Sequence, residues 1–504
     1  MKSIKLLLVV FSITLLTSCS QDDGKIDFTF LQVNDVYEIA PIQGGKYGGM
    51  ARVETIHQEL LSENPNTMLV MAGDFLNPSL LGTVKYNGER IRGMQMIETM
   101  NAMNFGLVAI GNHEFDLSAK DLQRRLNESN FPWISANVFL KQGDSIQQFY
   151  KEKNDHKEFL HRTYIKEFSD VDGTTIKVGF ISVCIPSNPK MYVHYTDIFE
   201  EAKNSYNELK NEVDVVIGLT HVKVAQDKKI VEMLPDIPLI MGGHEHNNMM
   251  IPVGDSFIAK ADANAKTAYI HRISFDKKTK KATVTSELKE INDEIKFNER
   301  VGAIVDKWQQ ILNTKIKDII PNPDEVIYTT EIPLDGKDKP IRSIQTNLGE
   351  VVTKSMSFAF NDKVDCALVN GGSIRIDDEL VGDISAVDIF RVLPYGGAVL
   401  KVKIKGDLLN QVLDYGVNAA GTGAYLQRFN ANKNNNDWFI ADKKINMNKI
   451  YTVAFSDYLL KGFDIPFLSP KNNGVLEVYQ PKPDEIAYDI RKAVILYLKN
   501  SSSK

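Results

Sequence analysis

Cysteine is scarce in this sequence. Three of the 504 residues are cysteines, too few for the disulfide framework that holds a small secreted domain together. Cys19 ends an apolar N-terminal stretch, whereas Cys184 and Cys366 lie far apart in the chain. We expect Cys184 and Cys366 to be free, buried thiols.

Positive charge is not in excess either. Lys and Arg number 59 against 65 Asp and Glu, a formal net charge of −6. The chain therefore lacks the electrostatic footprint of a protein that binds a nucleic-acid polymer, and it carries no DNA- or RNA-binding motif. Internal repeats and coiled-coil heptads are also missing, so the oligomeric state stays open. With 43% hydrophobic and 25% charged residues, a chain of this length predicts two globular domains.

A long hydrophobic run occurs only at the N-terminus. Residues 6–16 are mostly apolar and follow Lys2 and Lys5, the pattern of a secretory signal that is too short to span a membrane. The run ends in Leu16-Thr17-Ser18-Cys19, which resembles the bacterial lipobox. The alternative is an ordinary cleaved signal with an incidental cysteine.

We therefore expect residues 1–19 to form a lipoprotein signal peptide and residues 20–26 to form a tether. The protein would be exported and anchored to the bacterial outer membrane through a lipid on Cys19. It would face either the periplasm or the cell surface. The lipid would be its only contact with a membrane.

The central motif is Gly111-Asn112-His113-Glu114-Phe115-Asp116. The apolar residues 107–110 precede it and predict a buried strand. Asn112 offers an oxygen to a cation, and His113 offers a proton or a ligand nitrogen. Asp116 can orient His113 and stabilise its protonated form. The alternative is that these are turn and capping residues.

Four further strand ends deliver similar residue types. Each apolar run is followed within three positions by carboxylate, amide or imidazole groups: Asn34-Asp35, Gly73-Asp74, Thr220-His221, and Gly242-Gly243-His244-Glu245-His246. Helical patterns lie between the strands, so the alternation predicts an α/β fold with a parallel or mixed sheet. Functional residues of such sheets gather at the carboxyl ends of the strands. A nitrogen and oxygen ligand set without cysteine suits a hydrolytic site of two divalent ions, zinc, manganese or similar.

An amphipathic helix separates two parts of the chain. It is predicted from about residue 298 to residue 320, where Pro321 and Pro323 stop it. We place the first domain at residues 27–293, a linker helix at 294–322 and the second domain at 323–504. The alternative is a helix internal to one domain.

The second part carries anion- and base-binding candidates. Asn370-Gly371-Gly372-Ser373-Ile374-Arg375 lets backbone approach a ligand beside an arginine. Arg342 is a second cation, and Tyr395 and Phe467 are aromatic residues that could stack on a planar base. The alternative is that both aromatic residues belong to the core or to turns.

Taken together, these motifs resemble those of the bacterial 5′-nucleotidase family, which includes periplasmic UDP-sugar hydrolases and animal ecto-5′-nucleotidase. Beyond the motifs already quoted, the resemblance rests on Lys260-Ala261-Asp262-Ala263-Asn264, Thr346-Asn347-Leu348-Gly349 and Leu393-Pro394-Tyr395-Gly396-Gly397. It implies an N-terminal αββα metallophosphoesterase sandwich joined by a helix to a C-terminal α/β nucleotide-binding domain.

The resemblance also implies residue roles. Asp74 would bridge two metal ions, one also held by Asp35 and His246, the other by Asn112, His221 and His244. His113 and Asp116 would form the catalytic pair. The nucleotide would be held by Arg342, Asn370, Gly372 and Arg375, with Tyr395 and Phe467 stacking on its base.

Two positions depart from the family pattern. Asp35-Val36-Tyr37 replaces Asp-x-His, so one metal loses an imidazole or gains a phenol ligand, and iron becomes possible. The segment that supplies the second aromatic residue is Gly462-Phe463-Asp464-Ile465-Pro466-Phe467. It is one residue longer than the Gly-Gly-Asp-Gly-aromatic segment of the family. Phe463 could therefore replace Phe467 in stacking.

The implied activity is hydrolysis of nucleoside 5′-monophosphates to nucleoside and phosphate by a hydroxide that two metal ions activate. Alternative substrates for the same site are UDP-sugars, 2′,3′-cyclic nucleotides and thiosulfate adducts. A different class of protein, a surface lipoprotein that binds nucleotides without hydrolysing them, is the remaining alternative.

Overall fold

The computed structural model describes residues 23–154, 156–187, 189–317, 319–323 and 325–502. The predicted signal peptide, Cys19 and the start of the predicted tether lie outside these ranges. None of the helices in the described ranges combines the length and the apolar character that a membrane span requires. Cys184 and Cys366 are buried free thiols, as the sequence predicted.

Two six-stranded sheets form the N-terminal half. In spatial order, the first contains Lys281–Glu290, Thr267–Asp276, Lys25–Val33, Thr67–Met71, Leu107–Ala109 and Trp133–Ile134. The second contains Thr163–Ser169, Thr175–Ile181, Val215–Thr220, Leu239–Gly242, Ser256–Lys260 and Met249–Val253. The four strands from Lys25–Val33 to Trp133–Ile134 are mutually parallel, and so are the four from Thr175–Ile181 to Ser256–Lys260. Antiparallel strands complete the edges of both sheets.

The two sheets pack face to face. Phe28 and Phe30 of the first sheet meet Phe168 and Phe180 of the second, with ring centroids 5.2–6.2 Å apart. Helices cover the outer faces: Met50–Glu63, Met94–Met103 and Ala119–Glu128 on the first sheet, and Ile198–Leu209 and Val224–Met233 on the second. This is the αββα sandwich that the sequence predicted.

Local sequence explains the helix boundaries. Ser118 accepts a hydrogen bond from the amide of Asp121, so it caps the helix Ala119–Glu128. The helix Met94–Met103 begins directly after Gly93. Arg92 and Gly93 adopt positive φ angles of 45° and 85°, which end any right-handed helical run before that point.

The long amphipathic helix is Glu299–Lys317. Its residues Val301, Val305, Trp308 and Leu312 are buried. The indole N–H of Trp308 donates to Glu98, which lies on the helix Met94–Met103. The helix therefore packs along the N-terminal sandwich. The division at residues 293 and 323 stays a prediction.

The C-terminal half is built on a mixed five-stranded sheet. Its order is Leu426–Phe429, Cys366–Asn370, Ile450–Ser456, Val399–Lys405 and Val475–Tyr479. The helices Asn347–Phe358, Ala386–Val392, Gly406–Asn418 and Ile490–Ser502 pack around it, and the strands Val326–Asp335 and Glu379–Ser385 form a separate ribbon. The predicted α/β character of this half is confirmed.

Candidate active site

The loop after the strand Thr67–Met71 is fixed by one buried carboxylate. Glu114 accepts hydrogen bonds from the amides of Asp74, Phe75, Leu76 and Gly111, at 2.7–3.1 Å. Asp74 has a φ of 57°, unusual for a residue with a side chain. Burial and the charge of Asp74 raise the pKa of Glu114 to about 7. The four amides offset the cost of burying this carboxylate and hold Asp74 in position.

A glycine is required where the loop that carries Asp74 meets the central motif. A Cβ atom on Gly111 would lie 2.1 Å from the Oδ1 atom of Asp74 and 2.5 Å from its amide nitrogen. Any side chain at this position would displace the Asp74 loop. Gly111 therefore permits the close approach of Asp74 to the central motif.

His113 and Asp116 are brought together by one turn of 3₁₀ helix, His113–Asp116. The amide of His113 donates to Asp74 Oδ1 at 2.7 Å, and its Nδ1 lies 2.8 Å from Asp116 Oδ2. Burial disfavours the charged imidazole, but Asp74 and Asp116 outweigh it and raise the pKa of His113 to about 10. The imidazolium therefore persists at neutral pH in the metal-free protein.

Asp116 is held by cations from two other segments. Lys190 Nζ lies 3.1 Å from Asp116 Oδ1, and an Arg375 guanidinium nitrogen lies 3.5 Å from Oδ2. Burial raises the pKa of Asp116. The hydrogen bond from His113 and these positive charges outweigh burial and bring that pKa well below its usual range. Arg375, predicted as an anion-binding residue, thus contacts the catalytic candidate directly.

Three side chains form a compact group of donors. One atom from each of Asp74, His221 and His244 lies within 4.8 Å of the others. The Nδ1 of His221 lies 2.8 Å from the carbonyl oxygen of Ala72, so this nitrogen carries the donated proton. That leaves His221 Nε2, 2.9 Å from Asp74 Oδ2, as a ligand atom. Burial and the charge of His221 lower the pKa of His244 to about 3, so His244 is neutral in the metal-free protein. Burial disfavours a charged His221, but Asp74 outweighs it and raises the pKa of His221 to about 9, so a cation bound there would have to displace a proton from His221.

A second group lies around Asp35. His246 Nε2 is 3.5 Å from Asp35 Oδ1, and the Tyr37 hydroxyl is 3.1 Å from the same nitrogen. Burial and the charge of Asp74 raise the pKa of Tyr37 well above its usual value. Tyr37 therefore lies beside the predicted ligands as a neutral phenol.

The donor atoms themselves fit metal ions. Among the predicted metal ligands, four buried atoms have no hydrogen-bond partner within the described ranges: Asp35 Oδ1, Asp74 Oδ2, Asn112 Oδ1 and His221 Nε2. Unpaired buried polar atoms cost about 1–3 kcal/mol each, and a bound cation would remove that cost for all four. Nitrogen and oxygen donors without sulfur fit zinc, manganese and similar divalent ions.

A buried lysine ties these loops together. Lys260 Nζ donates to the carbonyl oxygens of Val222 and Gly243 at 2.6 and 2.7 Å. It also pairs with Asp227 at 2.8 Å and with Glu245. Lys260 therefore links the segments that follow His221 and His244. The motif Lys260-Ala261-Asp262-Ala263-Asn264 alone indicates no role for Lys260.

Two cavities open beside this site and share one arginine. A cavity of about 440 Å³ is lined by Asp74, Asn112, His113, His244, His246 and Arg342, among others. A second cavity of about 530 Å³ is lined by Arg342, Asn370, Gly372, Arg375 and Tyr395, among others. The structure thus places five of the six predicted nucleotide-binding residues around one cavity that adjoins the donor cluster.

The sixth, Phe467, does not line that cavity. Its ring packs against Tyr415 with centroids 5.6 Å apart, at the edge of a core cluster. Phe463 is 70% exposed and lies against Tyr458, which does line the cavity. In this structure Phe463 lies nearer to the cavity than the predicted Phe467 does, because it contacts Tyr458. Which of the two rings stacks on a base stays a prediction.

Comparison with known proteins agrees with this geometry. The calcineurin-like phosphoesterase profile matches residues 28–248, and the 5′-nucleotidase C-terminal domain profile matches residues 326–469. The chain therefore joins a calcineurin-like phosphoesterase domain to a 5′-nucleotidase C-terminal domain. It is a phosphoric ester hydrolase.

Individual relatives of this two-domain hydrolase are distant. The trifunctional nucleotide phosphoesterase protein YfkN of Bacillus subtilis is 26% identical over 80% of the chain, which spans 29% of that protein. The snake venom 5′-nucleotidase of Crotalus adamanteus is 26% identical over 83% of the chain and 75% of its own length. The 5′-nucleotidase precursor of Thermus thermophilus has the same fold, with a TM-score of 0.64, 20% identity, and 94% and 97% coverage of the two chains.

Sequence reasoning missed three residues of this phosphoesterase site. Glu114 stood in the central motif without a role, although a buried acid beside a strand end requires amide donors. Lys260 ends an apolar strand, where a lysine requires acidic partners. Asp377 lies between His113 and His246, and its position depends on how the two halves dock.

Proposed function

We propose that the protein hydrolyses nucleoside 5′-monophosphates to a nucleoside and phosphate, using two divalent metal ions. The observation that carries this proposal is the arrangement of the two cavities. One is lined by Asp74, Asn112 and His113, the other by Tyr395 and Asn370, and Arg342 lines both. A phosphate and a base joined by a ribose need two such adjoining sites.

In this proposal Asp74 is shared by both ions. Asp35 and His246 hold one ion, and Asn112, His221 and His244 hold the other. The unpaired oxygens of Asp35 and Asn112 and the short His221–Asp74 distance support the assignment. Bound there, the ions would neutralise the phosphate and lower the pKa of a water molecule so that it can attack phosphorus.

His113 stabilises the charge that develops on the substrate. Its Nδ1 is bound to Asp116, so its Nε2 faces the cavity. The surrounding carboxylates keep it protonated, and an imidazolium can donate to a phosphoryl oxygen or to the leaving oxygen. Asp116 orients the ring, and Arg375 links this pair to the nucleotide cavity.

The second half of the chain binds the nucleoside. Arg342 and Arg375 supply positive charge, and the backbone at Gly372 allows close approach. Tyr395 and Phe463, which are 58% and 70% exposed, are available for stacking on the base. Exposed aromatic residues of this size favour a nucleotide over a small inorganic ester.

Hydrolysis of four substrates, each followed by its own product, tests the substrate class. The products are phosphate from AMP, UMP from UDP-glucose, adenosine monophosphate from 2′,3′-cyclic AMP and p-nitrophenol from bis-p-nitrophenyl phosphate. The purified protein would be given AMP, UDP-glucose, 2′,3′-cyclic AMP and bis-p-nitrophenyl phosphate in the presence of Mn²⁺. We expect AMP to give the highest kcat/KM. A higher value for a diester or for UDP-glucose would keep the metal site and change the substrate. Binding of AMP without turnover would support a nucleotide-binding lipoprotein instead.

We also propose that the protein is exported and lipidated at Cys19. The lysines at positions 2 and 5, the apolar run and Leu16-Thr17-Ser18-Cys19 support this proposal. Labelling with a palmitate analogue tests it. We expect incorporation into the wild-type protein and none into Cys19→Ser. Equal labelling of both would contradict it.

A further inference from the structure

Asp377 belongs to the C-terminal half of the chain but lies in the metal-ligand cluster of the N-terminal half. Its Oδ2 atom is 3.5 Å from His246 Nε2 and 3.7 Å from His113 Nε2. Its carbonyl oxygen lies 2.5 Å from His246 Nδ1. One residue thus contacts both ring nitrogens of a proposed metal ligand across the interface between the two halves.

Contacts from both halves of the chain hold Asp377 and its neighbour in this position. Asp377 has a φ of 46°, in the left-handed region that aspartate adopts more readily than most residues. Its Oδ1 accepts a hydrogen bond from the amide of Asp338 at 2.7 Å. The next residue, Asp378, pairs with Lys266 of the N-terminal half at 3.2 Å. The side chain of Asp377 is 14% exposed.

The contact fixes how His246 can act. Because Nδ1 donates its proton to the Asp377 carbonyl oxygen, Nε2 is the nitrogen free to bind an ion. The carboxylate faces that same nitrogen and adds a negative charge where a cation would sit. Asp35, Asp74 and His246 offer three protein donors to this ion, the number that catalytic zinc sites typically have, so Asp377 need not bind the ion itself.

We propose that Asp377 is a positioning residue of the metal centre, so that the C-terminal half of the chain helps to retain the ion held by Asp35 and His246. Partners of metal-bound histidines typically contribute ten- to a hundredfold in metal affinity. The inference rests on the proposed two-metal function. It adds that the centre is completed across the interface between the two halves.

Titration of the full chain with Mn²⁺ tests this inference. Bound ions would be counted and their dissociation constants measured for the wild type, Asp377→Asn and Asp377→Gly. Both substitutions tolerate a positive φ and keep the backbone carbonyl, so they remove the carboxylate with little strain. Asp378→Asn is the matched control, because it weakens an ion pair at the same interface without contacting either imidazole.

We expect two ions on the wild type. Because the two Asp377 variants keep the carbonyl oxygen that holds Nδ1 and remove only the charge beside Nε2, they should raise one dissociation constant by about tenfold, the low end of the ten- to hundredfold range, and leave the other within about threefold. Their kcat with AMP should recover as Mn²⁺ is raised, which loss of a purely structural contact would not produce. Asp378→Asn should match the wild type within about threefold.

Unchanged affinities in Asp377→Asn would overturn this inference and leave the proposed function standing. Equal weakening by Asp378→Asn would also overturn it, since interface docking would then be the cause. A wild-type chain that binds no pair of ions would overturn the proposed two-metal mechanism, and this inference with it.

Discussion

The Nδ1 atom of His113 lies 2.8 Å from Asp116 Oδ2, and Arg375 from the other half of the chain lies 3.5 Å from the same oxygen. A single carboxylate therefore orients the imidazole and contacts an arginine of the proposed nucleotide cavity. In the proposed function, chemistry and substrate recognition meet at Asp116.

The first prediction concerns this pair. His113→Ala should lower kcat for AMP by about 10²- to 10⁴-fold, because the protonated imidazole no longer stabilises the transferred charge. Asp116→Asn should lower kcat less, since the ring remains but loses its orientation. Steady-state kinetics with saturating Mn²⁺ measures both, and circular dichroism checks the fold. A folded His113→Ala with wild-type kcat would contradict the assignment.

The second prediction separates the two phenylalanines. Phe463→Ala and Tyr395→Ala should raise KM for AMP roughly tenfold each, because stacking on a base contributes about 1–3 kcal/mol. Phe467→Ala should leave KM nearly unchanged and reduce stability, because its ring packs against Tyr415. Kinetics and urea unfolding of the three variants measure these effects. A raised KM in Phe467→Ala alone would show that Phe467, and not Phe463, stacks on the base.

The third prediction concerns the buried lysine. Lys260→Met should lower the free energy of unfolding by ~3–5 kcal/mol, because Asp227 is left as an uncompensated buried charge. Adding Asp227→Asn should restore part of the loss. Urea denaturation of the single and double variants measures both. Equal stability of Lys260→Met and wild type would show that the ion pair is dispensable.

The fourth prediction concerns Tyr37. Tyr37→His should tighten the binding of one metal ion, because an imidazole would be placed beside Asp35 and His246. Tyr37→Phe is the control that removes only the hydroxyl. Competition with a metal-binding dye measures the affinities. No difference between Tyr37→His and wild type would place Tyr37 outside the ligand set.

The strand-end residues were predictable for a physical reason. Parallel strands deliver the residues that follow them to one edge of a sheet, so Asp74 and Asn112, which follow neighbouring strands of the first sheet, could be placed together without a structure. His221 follows a strand of the second sheet, so its approach to Asp74 depends on how the two sheets pack. The helix stripe containing Val301 and Trp308 followed from its periodicity in the same way.

Other features depend on contacts that local patterns do not encode. Asp377 reaches His246 across 131 positions, and only the docking of the two halves brings them together. Phe463 and Phe467 differ by four positions in a loop, where composition does not decide which ring faces outward. Glu114 acts through amides of a separate loop.

Phosphate release from AMP after metal removal tests the central claim most directly. The purified protein would be treated with EDTA, freed of chelator and assayed before and after addition of Mn²⁺ or Zn²⁺. We expect no release by the stripped protein and recovery with at least one of the ions. Asp74→Asn should show no recovery. Release that EDTA does not affect, or no release with either ion, would contradict the account.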